Sequence, residues 1–304
     1  MYHYVRKFDP SLPNFRFLDV RNFEKQLDFF QEQFGFVSKD EWLNAIKRKK
    51  LGSAEGKVIL TFDDAMSCHY EYVYKVLRKR NQWGIFYVPT QPYEKGKLLD
   101  VHRIHLLCGA YSGNKLLSTL SGFLTKEMIP DEKIEEFQTL TYTRQDNYEG
   151  ISDFKRILNY FVSYDYRELL IDSVARELKY VFNTSKFYVS MDKLNQMQLS
   201  GNLIGSHSVS HPVMSKLSNI EQNWEIENSF SFLESNLKPD LRTYCHPYGG
   251  FHSFNDETVR ALAEKQVAFS FNVESRDICD EDLTLSIQFL PRYDCNQFPF
   301  GQAS

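Results

Sequence analysis

The sequence predicts an α/β fold built on parallel strands and interrupted by a largely helical insertion. Short, wholly apolar runs alternate with stripes at helical spacing at both ends of the chain. Three of the strand-like segments run straight into acidic, histidine-bearing or Pro/Gly-rich residues, while between about residues 97 and 182 the strand signal vanishes and helical stripes continue. At 304 residues the chain is long for one ordinary domain. That length suits one α/β domain, residues 1–96 and 183–304, carrying a mainly helical insertion over 97–182.

Taken in order, Tyr2–Val5 reads as a short strand, and Phe23, Leu27, Phe30 and Phe34 line one face of a following helix. Val58–Phe62 is a β-branched, buried strand that stops at Asp63-Asp64. A helix with Tyr70, Val73, Tyr74 and Leu77 on its inner side leads to a second buried strand, Gly84–Val88, closed by Pro89. Strand, acidic turn, helix and strand make a βαβ unit, which demands parallel pairing. Within the insertion, Ile151, Phe154, Leu158 and Phe161 form one helical stripe, and Leu170, Val174, Leu178 and Val181 another. The alternation resumes with strand Leu203–Ser206 and a helix through Ile226, Phe230, Leu233 and Leu237. Strand Arg242–Cys245, a helix capped by Asn255 that carries Val259 and Leu262, and strand Val267–Val273 complete it. Repeated β-then-α units fit a (β/α) barrel or an open parallel sheet.

Composition narrows the function. With 42% hydrophobic and 25% charged residues the chain is globular rather than disordered or fibrous. A net charge of −4 and a pI near 6.1 give no electrostatic case for nucleic acid or an anionic membrane. No apolar run approaches the roughly 20 residues of a membrane span, so a soluble protein is expected. Cys68, Cys108, Cys245, Cys279 and Cys295 are odd in number and widely spaced, which fits neither a disulfide framework nor a four-cysteine zinc site. With no apolar signal core behind Met1–Lys7, a cytoplasmic protein is the expectation. The 15% aromatic share implies an aromatic-rich core, with some rings at the surface able to stack on sugars.

Chemistry concentrates in three segments, each where a predicted strand ends and loops of a parallel fold converge. The first is Thr61-Phe62-Asp63-Asp64, two carboxylates that are costly at a buried strand end unless bound or paired. Its plain structural alternative is capping of the next helix by Asp64 or Ser67. The second is Gly205-Ser206-His207-Ser208-Val209-Ser210-His211-Pro212. Pro212 disfavours a helical His-x-x-x-His, which puts both histidines in the loop after the strand, with Pro212 expected at the first helical position. Alone they suit surface or hydrogen-bonding roles; joined with the acidic pair they supply two imidazoles and a carboxylate for a metal. The third, Tyr244-Cys245-His246-Pro247-Tyr248-Gly249-Gly250, reads as a fixed turn holding Tyr248 at its tip.

These motifs, in this order, resemble those of the polysaccharide deacetylase family (carbohydrate esterase family 4): its Thr-Phe-Asp-Asp, its His-Ser/Thr-x-x-His and its Pro-Tyr-Gly turn. The start Tyr2-His3-Tyr4-Val5, the helix Phe23–Phe34 and Leu290-Pro291-Arg292-Tyr293-Asp294 extend the resemblance to the branch whose motifs are circularly permuted. It covers roughly Met1 to Pro89 and Gly201 to Asp294, leaving the insertion outside. The resemblance implies a distorted (β/α)7 barrel with a divalent ion, zinc first and cobalt, nickel or manganese as alternatives, at the C-terminal edge of the strands. It implies Asp64, His207 and His211 as metal ligands, Asp63 as general base and His3 as general acid. Pro247 and Tyr248 would border the oxyanion, and Arg292 would pair with Asp63 and orient it.

Two departures stand out: Ala65 where many relatives have Gly, which restricts positive φ, and Cys245-His246 where an arginine often precedes the Pro-Tyr turn. His69, His102, His105, His246 and His252 have no motif support and read as structural or substrate-facing, with His102 and His105 on one face of a helix opening the insertion. The expected activity is removal of acetyl from an N-acetylated sugar, a glycan or a nucleotide- or lipid-linked precursor in surface polysaccharide biosynthesis. The alternatives are a carbohydrate-binding protein without turnover, or a deacylase acting on formyl or O-acetyl groups.

Overall fold

An apolar run with no polar face has to be buried on both sides, which a parallel sheet covered by helices provides. The computed structural model, which describes residues 1–130, 134–142 and 147–303, uses the runs in that way. A short parallel pair, β1 (Val5–Arg6) and β2 (Leu18–Asp19), precedes five parallel strands that lie side by side in sequence order. These are β3 (Thr61–Asp63), β4 (Ile85–Val88), β5 (Leu203–Ser206), β6 (Thr243–Cys245) and β7 (Phe269–Phe271), and every residue in them is buried.

Two single bridges extend this sheet to seven parallel segments. Tyr2 pairs with Phe62 beside β3, and Leu290 pairs with Phe271 beside β7. The two outer segments then meet: the Met1 nitrogen donates to the Tyr293 carbonyl (2.7 Å), and Cys295 N–H donates to the Met1 carbonyl (3.2 Å). The result is a closed, distorted (β/α)7 barrel rather than an open sheet.

The chain divides into two compact units: Met1–Phe8, Phe17–Lys95 and Ser185–Ser304 in the first, Asp9–Arg16 and Gly96–Thr184 in the second. In the second unit every regular element among the described residues is helical, and Ile104, Leu116, Phe154, Leu158, Ile171 and Val174 form its core. Asp9–Arg16 belongs to it through Asn14 N–H, which donates to the Gly109 carbonyl (2.9 Å). His102 lies buried on the helix Asp100–Ala110, its ring 6.2 Å from that of His105.

Several expected boundaries shift. The first strand shrinks to the Tyr2 bridge and β1, because the chain bends at His3. Phe23, Leu27 and Phe30 are buried on the helix Val20–Gln33, but Phe34 falls on its C-cap and is 44% exposed. Val181 lies past the end of the helix Tyr164–Glu177 and is 86% exposed. Periodicity cannot see where a helix stops, and its last matching residue therefore overshoots. Asn255 does cap Asp256–Glu264, accepting from Thr258 N–H.

Gly205 shows how tightly the barrel is filled. A Cβ there would stand 2.5 Å from the Tyr87 ring and 2.7 Å from the Thr243 methyl, two side chains that hydrogen-bond across β5 (3.0 Å). Gly205→Ala is expected to destabilise the protein by about 1–3 kcal/mol, the usual range for overpacking. Calorimetry should show part of that loss recovered when Thr243→Ser removes the opposing methyl.

Candidate active site

A regular strand sends consecutive side chains to opposite faces, yet Asp63 and Asp64 both point toward His3, whose Nε2 stands 4.0 Å from Asp63 Oδ2 and 3.9 Å from Asp64 Oδ2. The backbone explains this: β3 ends in two left-handed residues, Asp64 (φ 81) and Ala65 (φ 50), which break the alternation. Ala65 thus adopts the conformation its side chain disfavours, at a strain of about 1–2 kcal/mol. The following helix opens as a π-helical turn, His69–Tyr74, with no side-chain cap hydrogen bond at its N-cap Cys68. The acidic pair is turned to the site instead.

Asp63 is 2% exposed and held on both oxygens by Arg292, Nη1 to Oδ1 at 3.0 Å and Nη2 to Oδ2 at 2.9 Å. The guanidinium is itself fixed, donating to Thr61 Oγ1 (2.9 Å) and, through Nε, to the Asn272 carbonyl (3.0 Å). Burial by itself would raise the Asp63 pKa, but the Arg292 charge, with His207 and His3 behind it, holds the carboxyl well below the usual range. Cys245 lies in the same cluster, accepting from Arg292 Nη2 (3.0 Å) and donating to Asp63 Oδ2 (3.5 Å).

His207 follows β5, and its Nδ1 lies 2.8 Å from the Cys245 carbonyl. A carbonyl only accepts, so Nδ1 carries the proton and Nε2 presents its lone pair. That Nε2 is 3.6 Å from Asp64 Oδ1, and His211 Nε2 is 3.5 Å from the same oxygen. Burial above all lowers the His207 pKa and favours the neutral ring.

The loop between the two histidines is irregular, with Ser208 (φ 64) and His211 (φ 56) left-handed. Ser206 Oγ accepts from Ser208 N–H (3.2 Å), and Ser208 Oγ accepts from His211 N–H (3.0 Å). Buried Glu225 accepts from Val209 N–H (2.8 Å), Ser210 N–H (2.9 Å) and the Ser210 hydroxyl. Pro212 does not open a helix: a single 3-10 turn, Met214–Lys216, follows, and the helix Asn219–Asn236 starts after Ser218, which caps it. Holding His211 in a left-handed turn takes precedence over helix entry.

Asp64, His207 and His211 are buried, and their ligand atoms lie within 4.8 Å of one another. Tetrahedral coordination with bonds of about 2.1 Å separates ligand atoms by about 3.4 Å, close to the 3.5 and 3.6 Å found. Two imidazoles, one anchored through its second nitrogen, and a carboxylate therefore fit a divalent ion. Asp63, His207 and Cys245 are similarly close, but the Arg292 guanidinium at 3.0 Å from Cys245 Sγ makes that corner unfavourable for a cation.

The third motif packs against this set. Pro247 is buried, and the Tyr248 ring (φ 64) lies 4.8 Å from that of His211. Gly249 (φ 61) leaves no room for a side chain: a Cβ would stand 2.2 Å from Val273 Cγ2. His246 turns the other way, stacked on Phe254 (4.0 Å) with Nε2 2.7 Å from the Gln288 carbonyl. Glu225 and Asn272 carry no motif, and the third motif gave no sign that Cys245 joins the Asp63–Arg292 cluster. Glu225 looks like one more polar helix position, and only its proximity to Val209 and Ser210 reveals what it does.

Comparison with known proteins agrees with this geometry. The family model described as polysaccharide deacetylase matches residues 175–270, which span the second and third motifs. No curated protein sequence matches the chain. Among solved structures, the chain is similar to the Streptococcus pyogenes deacetylase PplD in complex with acetate (17% identity, TM-score 0.59, covering 96% of this chain and 88% of that one). It is also similar to BC0361, a polysaccharide deacetylase from Bacillus cereus (13% identity, TM-score 0.54, covering 96% and 62%). The BpsB deacetylase domain from Bordetella bronchiseptica matches at 13% identity and a TM-score of 0.50, covering 95% and 88%. The fold is that of the deacetylase barrels, and the second and third motifs lie inside the matched region. The chain is thus similar to the polysaccharide deacetylases in sequence over residues 175–270 and in fold over nearly its whole length.

Two measurements probe this region. Glu225→Gln, which weakens the acceptor that holds the histidine loop, is expected to reduce zinc affinity by about tenfold or more, read by titration against a competing chelator. Burial pushes His69 and His246 from 6.5 down to about 4. Both are neutral when folded and take up a proton on unfolding below about pH 6.5, so stability is full above that pH and falls as pH drops toward 4. Each contributes a slope of up to about 1.4 kcal/mol per pH unit. His246→Gln should flatten the decline seen in denaturant unfolding by about one such increment.

Proposed function

We propose that this protein hydrolyses the amide of an N-acetylated sugar, a glycan or a nucleotide- or lipid-linked precursor, in surface polysaccharide biosynthesis. Asp64, His207 and His211 would hold one divalent ion, zinc first and cobalt, nickel or manganese as alternatives. The observation that carries this reading is the sorting of two adjacent carboxylates, Asp64 turned to two imidazoles and Asp63 locked to an arginine. When bound, the ion polarises the acetyl carbonyl and makes water a stronger nucleophile.

The chain's own residues handle the protons. Asp63 accepts the proton of the attacking water, whose oxygen bonds to the acyl carbon. Arg292 fixes both Asp63 oxygens, so the accepting lone pair has one direction. The carbon–nitrogen bond breaks with its electrons on nitrogen, and His3 supplies the proton that lets the amine leave. The products are acetate and a free amino sugar. His3 Nε2 lies 4.0 Å from Asp63 Oδ2, too far for one hydrogen bond, so the proton taken by the base returns to the acid by way of a water. His3 therefore leans over the carboxylates rather than facing them across the site. Its place on the first barrel segment supports the permuted arrangement.

In the third motif, Pro247 has no N–H and Gly249 N–H goes to the His246 carbonyl (3.2 Å). We assign the oxyanion donor of this turn to Tyr248 N–H, with the Tyr248 ring bordering the substrate. The case for a barrel without turnover rests on Ala65 and on an arginine missing from the turn. Ala65 nonetheless takes the left-handed conformation, and an arginine from the last segment meets Asp63. The five cysteines are all unpaired, which favours a reducing compartment such as the cytoplasm. No helix among the described residues is long and apolar enough to cross a membrane.

Purified protein is expected to carry one divalent ion per chain and to release acetate from N-acetylglucosamine oligosaccharides. Chelation should abolish the release and zinc should restore it. Asp63→Asn should retain the metal and lose about 100-fold or more in kcat. Full turnover in that variant, with metal bound, removes Asp63 from the base role.

A further inference from the structure

His69 is a buried imidazole that the reaction as read above does not use. It lies at the start of the π-helical turn His69–Tyr74, buried and packed at an angle against the stacked pair Phe62 (5.8 Å) and Phe86 (6.0 Å). Its Nε2 stands 2.6 Å from the backbone carbonyl oxygen of His3. A carbonyl can only accept, so Nε2 carries the ring proton and Nδ1 is bare. Nδ1 is also buried, with no hydrogen-bond partner among the described residues. Burial depresses the His69 pKa to about 4, which keeps the ring neutral through the physiological range.

What His69 grips is the bend in the first barrel segment. Tyr2 is secured to β3 by two ladder bonds, Tyr2 N–H to the Thr61 carbonyl (2.9 Å) and Asp63 N–H to the Tyr2 carbonyl (3.0 Å). Val5 is secured in β1. His3 lies at the bend between them, its carbonyl accepting from Val5 N–H (3.1 Å) within a tight local turn. A bend of that kind leaves the side-chain direction soft unless something outside it holds the peptide. His69 supplies that hold from the helix that follows the acidic pair, and its ring is backed by two stacked barrel aromatics.

We propose that His69 is a positioning residue for His3: its Nε2–H clamps the His3 carbonyl and thereby fixes where the His3 imidazole stands over Asp63 and Asp64. This rests on the reading of His3 as the proton donor to the leaving amine. A misplacement of about 1 Å is enough to reduce a proton-transfer step by about 100-fold, whereas water activation at the three metal-ligand residues does not pass through this contact.

The test compares two reactions that share the nucleophile and differ in their need for an acid. Hydrolysis of N-acetylglucosamine oligosaccharides expels an amine that must be protonated; hydrolysis of para-nitrophenyl acetate expels a phenolate that leaves without a proton. For His69→Leu the ratio of ester to amide kcat is expected to rise by about tenfold or more, and for His3→Ala to rise further. Because both rates come from one preparation, loss of folded protein cancels from the ratio. An unchanged ratio in His69→Leu, with a raised ratio in His3→Ala, overturns the positioning role and leaves the His3 assignment standing. An unchanged ratio in His3→Ala fails the acid assignment itself. Nitrogen NMR of the intact protein, labelled at histidine, gives a readout that needs no variant. At neutral pH, His69 should be the neutral ring protonated at Nε2, and protonation at Nδ1 would overturn the clamp.

Discussion

Two adjacent carboxylates, each 2% exposed, cannot both remain ionised in a protein interior without compensating positive charge. The paired oxygens of Asp63 on the guanidinium of Arg292 answer half of that demand, and much of the remaining architecture follows from how the other half is met. Arg292 stands 229 positions from Asp63 in sequence and reaches it because the last barrel segment closes against the first. Its other donors are used on Thr61 and Asn272, so the guanidinium cannot swing to Asp64 without abandoning several bonds. Asp64 is left to face His207 and His211. One ion pair thus gives two chemically identical side chains different environments, the way pKa separation is generally achieved in acid–base sites.

The backbone has to bend to make this possible. Left-handed residues occur at Asp64, Ala65, Ser208, His211, Tyr248 and Gly249, all in the three loops that meet at the site. Strain concentrated there persists only if neighbouring structure over-determines it. The support is visible: Glu225 accepts three hydrogen bonds from the histidine loop, and Asn272 Oδ1 accepts from Gly250 and Val273 N–H (2.7 and 2.6 Å). Gly249 sits where any Cβ would strike Val273. None of these residues performs chemistry, yet each removes a freedom the site could not tolerate.

The aromatic content has a related use. Phe62 stacks on Phe86 (4.7 Å) and on Tyr2 (5.3 Å), while Trp42 packs against Phe269 and Phe271 on the opposite side of the sheet order. Flat, rigid side chains fill a small barrel with few rotamers to choose among. That rigidity is transmitted to the strand ends, and it encloses His69 tightly enough to keep it neutral.

The α/β class, the βαβ units and the acidic and histidine motifs could be read from the sequence, because each depends on neighbours a few positions apart. Apolar continuity marks a buried parallel strand, helical spacing marks an amphipathic face, and the identities of Asp63, Asp64, His207 and His211 name donors suited to a metal. Helix ends at Phe34 and Val181, the loop path through Pro212 and the left-handed turn at Ala65 were not legible, since local propensity there yields to contacts made elsewhere. Closure through Met1 and Tyr293, the Glu225 brace and the His69 contact with His3 were settled only by tertiary structure. Sequence supplies the donors and acceptors, but a hydrogen bond is decided by distance and direction, and between residues far apart in the chain these exist only once the barrel has closed.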